Sequence, residues 1–216
     1  MNQEKTQKKH LTIYGVEVVY LVLVGIVFSL VGWLGENTVK LVSQGFIDSR
    51  FHLLPFIGAY ALIPFAFQLA FQNPNDMCFF GHYVFKNKTL ANKIWSNIIT
   101  YLLIALFVFL GELSIGNFWD LVFGVKLWDY SGSFLAFTQY TCFVSTFGYA
   151  LGAFVLFKFV FFPLIKLFRN HVPYKVAMII AIVLGGLILL DELRLYGFIM
   201  FGNTAPNYWK LVIFNK

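Results

Sequence analysis

The sequence contains little charge. Asp, Glu, Lys and Arg make up 12% of its 216 residues, against about 25% in soluble domains. It also lacks the alternation of apolar and polar residues that is typical of membrane β-barrel strands. Its apolar residues, 59% of the chain with 27 Phe and 11 Tyr, come in long unbroken runs. The fold class predicted from these features is an all-α integral membrane protein.

The chain also lacks the motifs of several function classes. Its two cysteines, Cys78 and Cys142, give no disulfide framework, and His82 and His171 have no Cys or acid at metal-ligand spacing. The sequence has no zinc-protease motif, no nucleophile elbow and no phosphate-binding loop. We therefore expect no enzymatic activity, no metal or cofactor, and no nucleic-acid partner. Any ATP-driven activity would need a separate ATPase subunit.

Apolar runs predict about five transmembrane helices, since about 20 residues span a bilayer. Pro55 and Pro64 predict a kink or a break in the second helix. A further apolar patch, 196–201, is short and is predicted to lie at the membrane interface. The five predicted helices are 13–34, 51–71, 94–112, 134–157 with an oblique continuation to 165, and 176–190.

Basic residues predict the orientation. With five helices and the N-terminus inside, most of the 16 Lys and Arg residues lie on the cytoplasmic side, as expected for the plasma or inner membrane of a cell. The cytoplasmic set is Lys5, Lys8, Lys9, Lys86, Lys88, Lys93, Lys158, Lys166, Arg169 and Lys175. The chain is then divided into a cytoplasmic tail (1–12), a transmembrane domain (13–167) and a fifth helix with the C-terminal tail (168–216).

The transmembrane domain contains a repeat. Helices 1 and 3 both end in Gly-Glu, at Glu36 and Glu112, and each is followed by a polar stretch and a helix with a small-aromatic-small step. Residues 13–72 and 94–165 therefore look like two copies of one helix hairpin. Transporters often carry such repeats, with the binding site at the repeat interface.

An acid at the end of a membrane span is costly unless it faces a polar cavity or a partner. Glu36 and Glu112 could therefore face each other and bind a cation, a proton or an amine. Arg50 and Lys126 are the available counter-charges, and a structural salt bridge would explain the same residues. Asp120 admits either a place in this site or a place on a surface helix, and Trp33 lies near the face of Glu36.

The cluster Trp128-Asp129-Tyr130 also admits two interpretations. Aromatic rings beside an acid could hold a cationic or sugar-like group. Alternatively, Asp129 could cap the fourth helix while both rings anchor at the interface. The sequence leaves both open.

Several of these residues resemble a known family. The segments that carry the resemblance are Gly32-Trp33-Leu34-Gly35-Glu36, then Arg50 and Pro55, then Glu112, Gly116, Asp120, Phe123 and Lys126, and the run Trp128-Asp129-Tyr130-Ser131 with Tyr140 and Cys142. Over about 28–167 the chain is similar to the ABC-transporter type IV, or CmpB-like, family. The first loop departs from the family pattern, because Arg50 is kept and the usual glycines are not. The resemblance implies a bacterial membrane protein with a transport-like role.

The leading interpretation is a polytopic transporter or permease with an acid-lined site open to the outside between the two hairpins. Its predicted binding residues are Glu36, Glu112, Arg50, Trp33, Trp128, Asp129, Tyr130 and Asp120. The alternative is a non-transporting accessory, assembly or lipid-binding protein. Five helices form only a thin wall around a solute pathway, so transport would need an ATPase subunit or a homo-oligomer. A membrane enzyme acting on lipid-linked substrates ranks last, since no nucleophile or metal set stands beside the acids.

Overall fold

Long helices make up most of the chain in a computed structural model, which describes residues 10–73, 76, 78–85, 87–202 and 205–214. Residues 1–9 of the predicted tail lie outside the described residues. The helices are α1 (Val18–Gln44), α2 (Ile63–Ala70, preceded by a 3-10 turn, Gly58–Leu62), α3 (Leu90–Phe123), α4 (Phe143–Val155), α5 (Phe162–His171, joined to α4 by a π-helix, Leu156–Phe161) and α6 (Tyr174–Met200).

Four of these helical stretches are long and apolar enough to cross a membrane within the described part of the chain. They are α1, α3, the continuous stretch Phe143–His171 and α6, and Gly58–Ala70 is a shorter apolar helix. A helix satisfies every backbone polar group internally, which lipid requires. The predicted all-α membrane fold is confirmed.

α1 and α3 continue well beyond the predicted ends at 34 and 112. Each instead ends at a glycine in the left-handed conformation, Gly45 with φ 79° and Gly124 with φ 66°. Glycine adopts this conformation without a Cβ penalty and is the usual stop for a helix. Glu36 and Glu112 therefore lie inside helices, more than one turn before the end.

The second predicted helix is broken. Residues 51–57 are not helical. Pro64 lies in the first turn of α2, where a backbone N–H would have no partner within the helix, so proline costs no hydrogen bond there. Tyr60 packs on Gly32, Ala61 on Gly25, and Gln68 donates to the carbonyl of Ile13. The broken segment therefore runs antiparallel to α1 along most of its length.

Two buried acids of α6 hold the non-helical part of this segment. Asp191 accepts the backbone N–H groups of Leu53 and Leu54 at 2.9 and 3.2 Å, and Glu192 accepts that of Gly58. Arg194 donates to Asp191 at 2.9 Å. Irregular backbone at membrane depth is tolerated where protein satisfies it, so these acids are explained as structural.

Short strands form three two-stranded ribbons. They are β1 (Thr12–Ile13) with β2 (Val16–Glu17), β3 (Phe46–Asp48) with β6 (Lys210–Val212), and β4 (Cys78–Phe79) with β5 (His82–Tyr83). The β3–β6 ribbon is antiparallel, with Asp48 opposite Lys210. It joins the end of α1 to the segment after α6. The apolar patch 196–201, predicted as a separate interfacial segment, is the last turn of α6 and its end.

Phenylalanines fill the main core. Phe28 of α1, Phe67 of α2, and Phe157 and Phe161 of the π-helix are all less than 5% exposed. Half of the apolar window of α1 is buried, against 17 to 22% for the other three spans. α1 is therefore the central helix, and the others present apolar faces outwards.

Candidate functional site

Glu36 of α1 is held by two groups. Arg50 Nη2 donates to its Oε2 at 3.0 Å, and the Tyr60 hydroxyl donates to its Oε1 at 2.9 Å. Both carboxylate oxygens of Glu36 therefore have protein partners, and one partner is its counter-charge. Arg50 itself has a left-handed backbone, with φ 55°, which a side chain adopts only where the surroundings enforce it.

A close approach brings Tyr60 to Glu36. A Cβ at Gly32 would lie 2.2 Å from Tyr60 Cδ2, so the ring can lie there only because residue 32 is glycine. Gly32 precedes Glu36 by four residues, so both lie on one face of α1. The hydroxyl of a ring placed on Gly32 reaches the carboxylate one turn further on.

α3 repeats this arrangement. A Cβ at Gly116 would lie 2.7 Å from Tyr140 Cδ1, and the Tyr140 hydroxyl donates to Asp120, again four residues further along. The carboxylate raises the pKa of Tyr140 by accepting this bond. Asp120 is therefore part of a second glycine–tyrosine–acid arrangement, as Glu36 is of the first.

Glu112 has fewer hydrogen-bond partners than Glu36. Its Oε2 accepts the Ser145 hydroxyl of α4 at 3.0 Å. Within the described residues, its Oε1 has no hydrogen-bond partner and its carboxylate has no ion pair. Ser145 is fixed at the first turn of α4 by a capping box with Cys142. Glu112 is therefore a half-buried carboxylate with one free oxygen.

Tyr149 of α4 lies within electrostatic range of both acids. It interacts electrostatically with Glu36 and Glu112 and also with Arg50. Tyr130 interacts electrostatically with Glu112 and with Tyr149. Burial is the main cause of the raised pKa of Tyr130, and electrostatic interaction with Tyr149 and Glu112 raises this pKa further. We call the group Glu36, Arg50, Tyr60, Glu112, Ser145 and Tyr149 the paired-carboxylate site.

The other predicted site residues have structural contacts. Trp33 Nε1 donates to the Ser49 carbonyl at 3.4 Å, and its ring lies 6.0 Å from that of Trp209. Trp128 Nε1 donates to the Tyr140 carbonyl at 2.8 Å. Both indole N–H groups therefore fix loop backbone.

Asp129 lies exposed in the loop between α3 and α4. It accepts the backbone N–H and the hydroxyl of Ser131 at 2.8 and 2.6 Å, and these bonds lower the pKa of Asp129. The cap of α4 is Cys142, so the alternative in which Asp129 caps this helix is wrong. Lys126 lies 3.6 Å from Asp129 and donates to Gln139. Its charge is therefore paired with Asp129 in the same loop.

Four residues of these arrangements were not among the predicted binding residues: Tyr60, Tyr140, Ser145 and Tyr149. The sequence did carry a signal for Tyr60 and Tyr149, since each is the aromatic residue of a small-aromatic-small step in one hairpin. Ser145 carries no comparable signal. Among the described residues, no group of His, Cys, Asp and Glu could hold a metal ion.

Comparison with known proteins decides the family. A family model with the description "Putative ABC-transporter type IV" matches residues 22–194. The chain belongs to this family. The match confirms the resemblance seen in the sequence and extends it into α6, up to Arg194. It also covers every residue of the paired-carboxylate site. Searches of curated proteins and of solved structures returned no match.

Proposed function

We propose that this polytopic membrane protein of a transporter-type family binds a cation, a proton or an amine at the paired-carboxylate site, from the outer side. The observation that carries the proposal is the position of Tyr149, which interacts with Glu36 and Glu112 at once. One side chain of α4 is therefore within electrostatic range of an acid from each hairpin, which supports a site shared by the two hairpins. A repeat interface is where transporters commonly bind their substrate.

The two acids have different roles in this proposal. Glu36 is neutralised by Arg50 at 3.0 Å, so it positions Tyr60 and carries little free charge. Glu112 retains a free oxygen and no basic partner within the described chain. With both acids ionised, the site holds one negative charge more than it holds positive charge. That balance suits one monovalent cation, and a carboxylate within a span needs such a partner.

The proposal assigns the chain a binding role and no catalytic step. The orientation follows from the basic residues, with the N-terminus in the cytoplasm and the site near the outer face of the cell membrane. Transport driven by ATP would require a separate ATPase subunit, because the sequence has no phosphate-binding loop. A second copy of the chain would complete a solute pathway that four long spans and one short broken segment line only thinly.

Methylammonium is a suitable probe for the site, because it is a small monovalent amine. We expect purified wild-type protein to bind it, and Glu112→Gln to weaken binding by about tenfold or more, which is about 1.4 kcal/mol. Glu36→Gln should also weaken binding, since it leaves Arg50 unpaired and brings the net charge of the site to zero. Isothermal titration in detergent measures affinity, and uptake into proteoliposomes measures transport.

Glu17→Gln is a matched control. Glu17 lies at the opposite end of α1, 3.5 Å from Arg169, and is the same residue type. It should leave binding and uptake unchanged. If the Glu36→Gln, Glu112→Gln double variant folds and still takes up methylammonium at the wild-type rate, the proposed site is wrong.

The exposed apolar faces of α3 and α6 favour a second candidate, a non-transporting accessory, assembly or lipid-binding protein. Faces of this kind contact lipid or a partner helix. Native mass spectrometry of protein extracted gently from its host membrane separates the two candidates. A co-purified ATPase would support transport. A homo-oligomer that carries only lipid would support the accessory role.

A further inference from the structure

An apolar groove lies about one helical turn from Glu112 on α3. It has a volume of about 400 Å³ and lies between α3, α4 and the loop that joins them. This volume is within the range of small-molecule sites, roughly 300–1,000 Å³. The residues that line it are Leu102, Ala105, Leu106, Phe109, Phe137, Thr146 and Phe147.

One end of the groove lies about one helical turn from the paired-carboxylate site. Phe109 precedes Glu112 by three residues on α3, about one helical turn. On α4, Thr146 follows Ser145, which donates to Glu112 at 3.0 Å. Phe137 from the loop packs on Phe109 with ring centres 5.9 Å apart. The apolar groove therefore ends within about one helical turn of a carboxylate that has one free oxygen.

A second observation points to a ligand in the groove. Thr146 lines it, is 3% exposed, and its hydroxyl has no hydrogen-bond partner. An unpaired buried hydroxyl is costly, so such groups normally have a partner. An ester carbonyl at the head of an acyl chain would accept this hydroxyl once the Thr146 side chain rotates to turn it into the groove.

We infer that the groove binds one chain of a membrane phospholipid that has a primary ammonium headgroup, with the ammonium on Glu112. This inference rests on the proposed function, since it gives the substrate class of the same carboxylate. Charge complementarity selects the headgroup. A primary ammonium donates hydrogen bonds to Glu112 Oε1, a quaternary ammonium has no N–H to donate, and an anionic glycerol headgroup would be repelled.

Lipid retention tests the inference. The delipidated full-length protein is incubated in mild detergent with equal amounts of phosphatidylethanolamine, phosphatidylcholine and phosphatidylglycerol of identical chains, then analysed by native mass spectrometry. We expect one tightly retained lipid per chain, with phosphatidylethanolamine first and phosphatidylglycerol last. Glu112→Gln should retain lipid and lose this headgroup order.

Leu106→Trp fills the groove. Leu106 lines it and is 48% exposed, so a larger ring enters the groove without entering the core. We expect retained lipid to fall about tenfold. Leu110→Trp is the matched control, with 45% exposure on the same helix outside the groove lining, and should retain lipid. Thr146→Val, which keeps the shape and removes the hydroxyl, should also weaken retention.

The outcomes separate this inference from the proposed function. If Leu106→Trp and Leu110→Trp retain lipid equally, or Glu112→Gln keeps the headgroup order, the lipid inference is wrong. Methylammonium binding that depends on Glu112 would then leave the proposed function standing. Headgroup selection through Glu112 without methylammonium uptake would instead uphold the lipid inference and overturn transport of small amines.

Discussion

Gly32 and Gly116 each lie under a tyrosine ring, where backbone and ring approach too closely for a methyl group. In both cases the hydroxyl reaches an acid four residues further along the same helix. The glycine sets the ring position, and the helical repeat sets the position of the acid. A glycine at one position thereby orients a carboxylate one helical turn away.

Gly32→Ala should destabilise the protein. The new Cβ would lie 2.2 Å from Tyr60 Cδ2, so the ring must move and its hydroxyl must leave Glu36. We expect a loss of about 1–3 kcal/mol, the usual cost of overpacking. Gly35→Ala, on the same helix with no atom within 4 Å of the new Cβ, should instead stabilise by about 0.5–1 kcal/mol. Thermal unfolding in one detergent measures both changes.

α3 offers the same comparison as an independent check. Gly116→Ala meets the Tyr140 ring, and Gly111→Ala has open space around its Cβ. Gly116→Ala should therefore destabilise the protein and Gly111→Ala should stabilise it, as expected for Gly32→Ala and Gly35→Ala. If Gly32→Ala and Gly35→Ala shift the unfolding midpoint in the same direction, the close approach does not constrain Tyr60.

Part of this site can be predicted from the sequence. The placement of Glu36 and Arg50 as a charged pair follows from the cost of an acid within a span, which applies to any fold. The partners of Glu112 could not be predicted, because Ser145 lies 33 residues away and its position depends on how α4 is capped. The roles of Trp128 and Asp129 depend on the path of a loop, which no periodic pattern encodes.

At the scale of elements, the broken segment before α2 depends on a distant helix. Pro55 and Pro64 predict the break, since proline lacks the N–H that a helix interior requires. They do not predict what satisfies the freed backbone. The acceptors, Asp191 and Glu192, come from α6, more than 130 residues later. Long-range partners of this kind are absent from local sequence patterns.

The β3–β6 ribbon is stabilised by a buried acid. Asp48 is 1% exposed, accepts from Lys40 and Asn207, and also accepts the backbone N–H of Arg50 at 3.0 Å. Burial by itself would raise the pKa of Asp48. The hydrogen bonds and charges of Lys40 and Arg50 outweigh it, so the pKa lies below its usual value.

A lowered pKa of Asp48 predicts a sign for the pH dependence. The carboxylate is stabilised more in the folded than in the unfolded chain, whose Asp pKa is about 3.9. Its contribution is therefore fully present above that value and is lost as the pH falls through the lower, folded pKa. The protection factors for hydrogen exchange at the amides of 46–48 and 210–212, which correct for the intrinsic pH dependence of exchange, should fall in that acid range.

Asp48→Asn is the matched variant for this prediction. It should cost about 1.5–3 kcal/mol at neutral pH, the worth of hydrogen bonds to a charged group. It should also remove the acid dependence of these protection factors in the ribbon, because the titrating group is gone. An acid dependence that persists unchanged in Asp48→Asn would assign it to another group.

At the scale of the whole molecule, the helix arrangement assigns sides to the loops. The broken segment runs antiparallel to α1, so its end returns to the side where α1 begins. α3 then crosses back, and the continuous stretch 143–171 crosses again. The loop between α3 and α4 and the turn after α5 therefore lie on opposite sides. The basic residues predict that the turn after α5 is cytoplasmic.

Ser133→Cys and Asn170→Cys test this orientation in whole cells. Both positions are exposed, one in the α3–α4 loop and the other near the end of α5, and both native cysteines are buried. A maleimide that cannot cross the membrane should label Ser133→Cys in intact cells and Asn170→Cys only after permeabilisation. The reverse pattern would place the paired-carboxylate site near the cytoplasmic face. Labelling of both positions in intact cells would contradict the antiparallel crossings themselves, because residues 143–171 would then not traverse the membrane.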